Sequence, residues 1–142
     1  MLKVATLMDK DTVVSMAMKF VGTTEMSEYA DVKYIEQLAE ELLTNGSFNP
    51  SVVIMHGDDG FLAGSILPFR FGPYLTASEI AWWVNPEKRN TRIGTELLEA
   101  FEYWAEKSGA TFINMVSLDD EVGKYYEKKG YKLLERAYIK KI

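Results

Sequence analysis

The sequence predicts an α+β fold, helices packed on a mixed sheet, within one domain spanning residues 1–142. Three observations predict it. Hydrophobic periodicity alternates between strand and helix spacing in the order β, α, α, β, β, β, α, β, α, β. An apolar run, Ser78–Val84, ends at Asn85-Pro86, where proline lacks the N–H a sheet ladder needs. The helical run that follows leads through Gly109 to a second β-rich stretch, Ala110–Val116, so those two strands should be parallel neighbours joined by a crossover helix.

Leu2–Leu7 reads as a first strand, and Asp9 or Asp11 can cap a helix carrying Val13, Met16, Ala17, Phe20 and Val21 at helical spacing. A polar loop, Gly22–Ala30, leads to a second helix with Val32, Ile35, Leu38, Ala39, Leu42 and Leu43 on one side, closed by Asn45-Gly46. Ser51–His56 and Phe61–Leu67 flank Gly57-Asp58-Asp59-Gly60, a hairpin-turn composition. Pro68–Thr76 returns the chain to Ser78–Val84. Beyond Val116, Asp119 or Asp120 begins a short helix that Gly130 closes, and Lys132–Leu134 and Ala137–Ile142 are expected as terminal strands.

With no cysteine and one histidine, disulfides, thiol nucleophiles and zinc clusters are not expected. No apolar run reaches membrane-spanning length and no signal-peptide pattern opens the chain, so a cytoplasmic protein is the expectation. A net charge of −5 argues against nucleic acid as a general partner. The C-terminal stretch runs the other way: Lys124, Lys128, Lys129, Lys132, Arg136, Lys140 and Lys141 face only Glu127 and Glu135. With Lys88, Arg89 and Arg92 they make a basic side, either plainly solvated or attractive to a polyphosphate.

The central stretch carries the chemistry. After Pro86 a basic loop, Glu87–Asn90, opens onto a helix starting near Thr91, with Asn90 or Thr91 as cap and Ile93, Leu97, Leu98, Phe101, Trp104 and Ala105 on its apolar side. A helix start has unpaired N–H groups and the positive end of the dipole, which suits an anion such as phosphate.

In these contexts, Arg89-Asn90-Thr91-Arg92-Ile93-Gly94 resembles the CoA motif of the GNAT superfamily of N-acetyltransferases. That motif is Arg or Gln, two residues, Gly, one residue, then Gly or Ala. Tyr126-Glu127-Lys128-Lys129-Gly130-Tyr131 is similar to the family's later tyrosine and Gly-aromatic motif. The resemblance implies a largely antiparallel sheet with one parallel, splayed strand pair, and acetyl-CoA as acetyl donor with no metal. The acceptor would be a primary amine on a small molecule, peptide or protein, and homodimers are common in the family. Trp83 and Val84 would flank the pantetheine arm, with main-chain N–H groups near Val84 facing the acetyl carbonyl. Asn90, Thr91, Arg92, Ile93, Gly94 and Thr95 would hold the diphosphate beside Arg89, and Asp119 stands where relatives carry a pantetheine-touching asparagine. Arg92 replaces the family's first glycine, which implies either a charged side-chain contact in place of a backbone one or lost CoA binding.

A lysine-like amine with pKa ~10.4 needs roughly 4–5 kcal/mol to be neutral at pH 7, so a base is required, and the leaving thiolate needs a proton. By position Tyr126 is the acid, with Tyr125 as its register competitor, expected to face away. Glu79 is a candidate base that reads equally as an edge carboxylate. By strict alternation Glu79, Ala81 and Trp83 share one face, and Ser78, Ile80, Trp82 and Val84 the other. Either tryptophan reads more readily as core than as channel lining. His56 reads as a surface histidine, and Asn114 occupies a position where some relatives place a catalytic glutamate. Family layout puts Tyr29, Phe69, Phe71, Tyr74 and Tyr138 around the acceptor, with Glu25, Glu28 or Asp31 attracting a cation. The alternative is a CoA-binding or protein-interaction module that has lost turnover. A dinucleotide-binding oxidoreductase is the more distant reading, since no GxGxxG follows the first strand.

Overall fold

The computed structural model describes residues 1–45 and 49–142. Five strands form one sheet: β1 Leu2–Val4, β2 Ser51–His56, β3 Gly60–Pro68, β4 Leu75–Val84 and β5 Phe112–Asn114, adjacent in that order. The first four pair antiparallel, and β4 pairs with β5 in parallel. The helices are α1 Lys10–Gly22, α2 Val32–Thr44, α3 Ile93–Lys107 and α4 Asp120–Lys128. Among the described residues no helix is long and apolar enough to cross a membrane, and no three His, Asp, Glu or Cys side chains are grouped to hold a metal.

The sheet separates two apolar cores. On one face Val13, Val14 and Met16 of α1 and Ala39 of α2 pack with Val53, Met55, Phe61, Ala63, Ala81 and Trp83. On the other, Ile93, Leu97, Leu98, Phe101 and Ala105 of α3 pack with Val52, Ile54, Leu62, Ile66, Ala77 and Val84. Leu97, Leu98 and Phe101 are completely buried, each stabilising the fold by about 1.5–3 kcal/mol relative to an exposed side chain.

The pairing of β3 with β4 slips once. Ala63 faces Ala81 but the next residue, Gly64, faces Glu79, which leaves Ile80 without a partner as a β-bulge. Opposed residues on antiparallel strands share a face. Trp82 opposite Leu62 and Glu79 opposite Gly64 therefore lie together on the α3 side, and Ala81 and Trp83 lie on the α1 side. Strict alternation, which groups Glu79 with Trp83, is corrected here: the bulge inverts everything before Ile80 relative to everything after it.

Other expectations shift at their edges. The first strand ends at Val4, β4 begins at Leu75, and Ala110–Val116 yields a strand only at Phe112–Asn114. α3 begins at Ile93 with Arg92 in the cap position, not Asn90 or Thr91, because Pro86–Lys88 makes a 3-10 turn and Thr91 N–H continues it onto the Lys88 carbonyl. Gly109 and Gly130 follow α3 and α4 at φ 84° and 94°, left-handed values that glycine reaches without Cβ strain. Asn45 takes φ 51° after α2; the expected Gly46 lies outside the described residues. Lys132–Leu134 and Ala137–Ile142 form no strands. Leu133, Leu134, Tyr138 and Ile139 are all exposed, so neither ladder nor burial offsets the entropy of ordering that lysine-rich segment.

Gly64 sits where α3 presses on the bulged pair. A Cβ there would lie 2.6 Å from Phe101 Cζ and 2.8 Å from the Ser78 carbonyl oxygen. Gly64→Ala is expected to destabilise the protein by about 1–3 kcal/mol, read as a lowered midpoint in urea unfolding.

Candidate active site

β4 and β5 are paired only at Thr76–Phe112, Ala77–Ile113 and Ser78–Asn114. From Glu79 onward no described strand pairs with β4 on that side, and the chain runs on from β5 to α4. The gap between the parted strands begins at Glu79, beside the bulge.

Into that gap α4 places Tyr126. Its hydroxyl lies 2.9 Å from the Val116 carbonyl oxygen and 3.3 Å from Glu79 Oε1, so one phenolic proton has two acceptors in reach. Glu79 Oε1 also accepts from the Val116 N–H at 3.2 Å. Burial raises the Glu79 pKa from 4.5 to about 7, against the lowering effect of these two hydrogen bonds. Burial, then the Glu79 carboxylate beside it, pushes the Tyr126 phenol well above its ordinary range, so it is protonated at neutral pH. Desolvation thus leaves a carboxyl that exchanges its proton near neutrality touching a phenol that keeps its own, the pairing of roles expected of an acid and a base. Tyr131, whose hydroxyl donates to Glu102 on α3 at 2.9 Å, packs its ring 5.6 Å from Tyr126.

The tryptophans divide the work. Trp83 is core on the α1 side, and its Nε1–H donates to Asn85 Oδ1 at 2.9 Å. Asn85 in turn donates to the Asp58 carbonyl and, through its main-chain N–H, to the Asp59 carbonyl. This buried asparagine fastens the end of β4 to the β2–β3 turn, and the sequence alone did not single it out. Trp82 is half-buried on the other face, stacked on Tyr126 with ring centroids 5.8 Å apart and an interplanar angle of 28°. Its Nε1–H is buried and has no acceptor among the described residues. Val84 closes the strand. Its carbonyl accepts from Arg89 Nε at 2.8 Å, and the Arg89 guanidinium lies over the Trp83 ring.

At the start of α3 the first intrahelical bond runs from Glu96 N–H to the Arg92 carbonyl. Ile93 N–H reaches Thr91 Oγ1 at 3.3 Å; the N–H groups of Asn90, Arg92, Gly94 and Thr95 have no hydrogen-bond partner among the described residues. Arg92 adopts φ −82°, an ordinary angle, so glycine is not required there on conformational grounds. Its side chain is 71% exposed and pairs with Glu99 at 3.8 Å, as Lys129 does at 3.9 Å. A Cβ at Gly94 would meet Trp82 Cζ2 at 3.5 Å and Val84 Cγ2 at 3.6 Å, contacts the fold tolerates. Tyr125, expected to face away, instead packs by Trp82 and brings its hydroxyl to Thr95 Oγ1 at 2.9 Å; α4 is amphipathic enough for both tyrosines to face the protein.

The remaining candidates lie outside this centre. Asp119 caps α4, accepting from Val122 N–H at 2.9 Å. His56 is half-buried, with Nε2 3.7 Å from Glu96 Oε2. Asn114 ends β5 opposite Ser78. Phe69, Phe71 and Tyr74 cluster with Phe112 at the far end of the β3–β4 hairpin. Tyr29 lies in the 27–29 turn with Lys141 Nζ 5.2 Å from its ring centroid, and Tyr138 is exposed.

The site thus joins a parallel pair that parts beside a donor-rich helix start to a carboxyl–phenol contact at the opening. The chain belongs to the GNAT acetyltransferase family, whose model matches residues 18–131. No curated protein sequence matches it significantly. Among solved structures, a probable acetyltransferase is similar over 100% of this chain and 98% of its own, with 18% identity and a TM-score of 0.80. A ribosomal-protein-alanine N-acetyltransferase from Brucella melitensis covers 100% and 99% with 14% identity and a TM-score of 0.72. AAC(6')-Iy, solved with a CoA-linked bisubstrate analogue of acetylneamine, covers 100% and 97% with 14% identity and a TM-score of 0.73. At these identities the likeness is one of fold.

Between pH 4.5, the ordinary Glu79 value, and about 7, its folded value, the native state holds a proton that the unfolded chain has lost. Stability therefore falls as pH rises through that window, and the full cost is present above it. Glu79→Gln is expected to melt above the parent protein at alkaline pH, by up to about 3 kcal/mol, with the difference vanishing in acid.

Proposed function

We propose that this chain transfers an acetyl group from acetyl-CoA to a primary amine by direct attack, with Glu79 taking the proton of the amine and Tyr126 supplying one to the departing sulfur. The observation that carries the reading is the Glu79–Tyr126 contact inside the gap between β4 and β5. Acetyl-CoA supplies the activated acyl group as a thioester.

The residues present fit that donor. Unpaired N–H groups at Arg92, Gly94 and Thr95 suit an anion. Beyond Ser78 the main chain of β4 pairs with no described strand on its β5 side, an edge along which an extended arm fits. Asn90, Thr91, Ile93 and Arg92 would complete the diphosphate loop, and Trp83 and Val84 would contribute main chain rather than side chain.

Glu79 suits the base role because a carboxyl with pKa near 7 is partly ionised at neutral pH and basic enough to accept a proton. The phenol of Tyr126 stays protonated and is already aimed into the gap. Two solved neighbours bear amine acceptors in their descriptions, an alanine of a ribosomal protein and an aminoglycoside fragment, which supports an amine here. The acidic 22–31 loop, with Glu25, Glu28 and Asp31, would draw a cationic acceptor.

A CoA-binding module without turnover is the second reading. It is favoured by Arg89 and Asp119, whose side chains are occupied by the Val84 carbonyl and the α4 cap.

Acetyl-CoA at 100 times its Kd is expected to add about 2.7 kcal/mol of stability in a melting scan; no shift removes both readings. Thiol release with a panel of amines then separates enzyme from binder. Tyr126→Phe should lower kcat roughly 100-fold, and kcat/KM should rise through about pH 7 as Glu79 loses its proton. Gly94→Ala should fold with stability within about 1 kcal/mol of the parent yet bind acetyl-CoA poorly, shown by titration calorimetry.

A further inference from the structure

Trp82 Nε1 is the one buried side-chain nitrogen or oxygen lacking a hydrogen-bond partner among the described residues. Buried polar groups are almost always paired, and leaving one unpaired costs about as much as a lost hydrogen bond. The ring neighbours Tyr125 and Tyr126 do not explain why the position carries an indole rather than a phenyl ring.

The ring's orientation says where that N–H lies. Cζ2 and Nε1 are attached to the same ring-fusion carbon and share one edge of the indole. Cζ2 is the atom closest to a Cβ built on Gly94, at 3.5 Å, so the Nε1 edge faces the first turn of α3. The opposite use of the ring is its stack on Tyr126 at 5.8 Å. Trp82 therefore lies between Gly94, in the first turn of α3, and the Tyr126 ring. Tyr125 packs beside the Trp82 ring with centroids 5.9 Å apart, and its hydroxyl contact with Thr95 Oγ1 at 2.9 Å joins α4 to the start of α3.

We propose that the Trp82 indole N–H is a positioning donor for CoA, giving its hydrogen bond to an oxygen near the junction of diphosphate and pantetheine once the Tyr125–Thr95 contact parts. The indole then joins the helix-start N–H groups in fixing the arm, and its stack keeps Tyr126 aligned with it. This rests on the acetyl-CoA reading above. It goes beyond that reading by assigning a side-chain donor to a strand otherwise expected to act through its main chain, and by making the Tyr125–Thr95 contact one that ligand must open.

The test follows the indole proton directly. In protein labelled with nitrogen-15 at tryptophan, the Trp82 resonance, identified by its disappearance in Trp82→Phe, should move downfield on adding CoA. ADP and pantetheine, added separately, show which part carries the accepting oxygen. Trp82→Phe should weaken CoA binding roughly tenfold by calorimetry, while Trp104→Phe, near the C-terminal end of α3, should not. A Trp82 resonance that stays in place while CoA binds the parent protein overturns the inference, as does equal affinity in Trp82→Phe. Parent protein that binds no CoA at all overturns the acetyl-CoA reading itself, and this inference with it. If Trp82→Phe folds poorly, the chain's three tryptophans let Trp83→Phe and Trp104→Phe identify the Trp82 resonance by elimination, and the shift is still read in the unaltered chain.

Discussion

One extra residue in β4 decides what the site can be. With Ile80 bulged out, Glu79 faces the same side of the sheet as Trp82 and Gly64; without the bulge its carboxylate would point into the apolar core beneath α1. There a carboxyl could meet neither Tyr126 nor the Val116 N–H, and desolvation would have no hydrogen bonds to oppose it. The bulge also falls where β4 and β5 stop pairing. The carboxyl is therefore turned right beside the point where the ladder ends. Bulges commonly re-aim a side chain beside a site in this way.

Around that point the two faces of the sheet do different things. The α1 face is an apolar core held at its end by the Trp83–Asn85 bond. On the other face the C-terminal segment adds hydroxyl bonds to its packing: Tyr126 and Tyr125 of α4 reach Glu79 and Thr95, and Tyr131 just beyond α4 reaches Glu102. The bonds of α4 itself thus fall at the strand gap and the start of α3. The burial that sets the Glu79 carboxyl near neutrality comes from the same contacts that hold Tyr126 in place.

Much of the architecture could be read from the chain because it follows from local chemistry. Pro86 ends β4, Gly109 and Gly130 end helices in left-handed turns, and Gly57–Gly60 turns a hairpin. The motif pair around Gly94 and Tyr126 was legible by type and spacing. The bulge was not: Ile80 is an ordinary strand residue, with neither glycine nor proline to betray a slip that arises from how β3 and β4 settle under Phe101. Asn85 was missed because an asparagine before a proline reads as turn chemistry, whereas here its amide is buried against Trp83. Residues 132–142 have strand-like alternation, yet β5 is three residues long and no described strand pairs with them. Side-chain pattern proposes a strand; only a neighbour makes one.

The Asn85 knot also sets which parts of the molecule are free to vary. Its two acceptors in the β2–β3 turn are both main-chain carbonyls, those of Asp58 and Asp59. Changing the Asp58 or Asp59 side chain leaves both acceptors in place, whereas replacing Asn85 removes the side-chain donor to the Asp58 carbonyl, and a Cβ at Gly60 of the same turn would lie 2.7 Å from the Trp83 carbonyl oxygen. Tolerance and intolerance to substitution thus sit across a single hydrogen bond from one another.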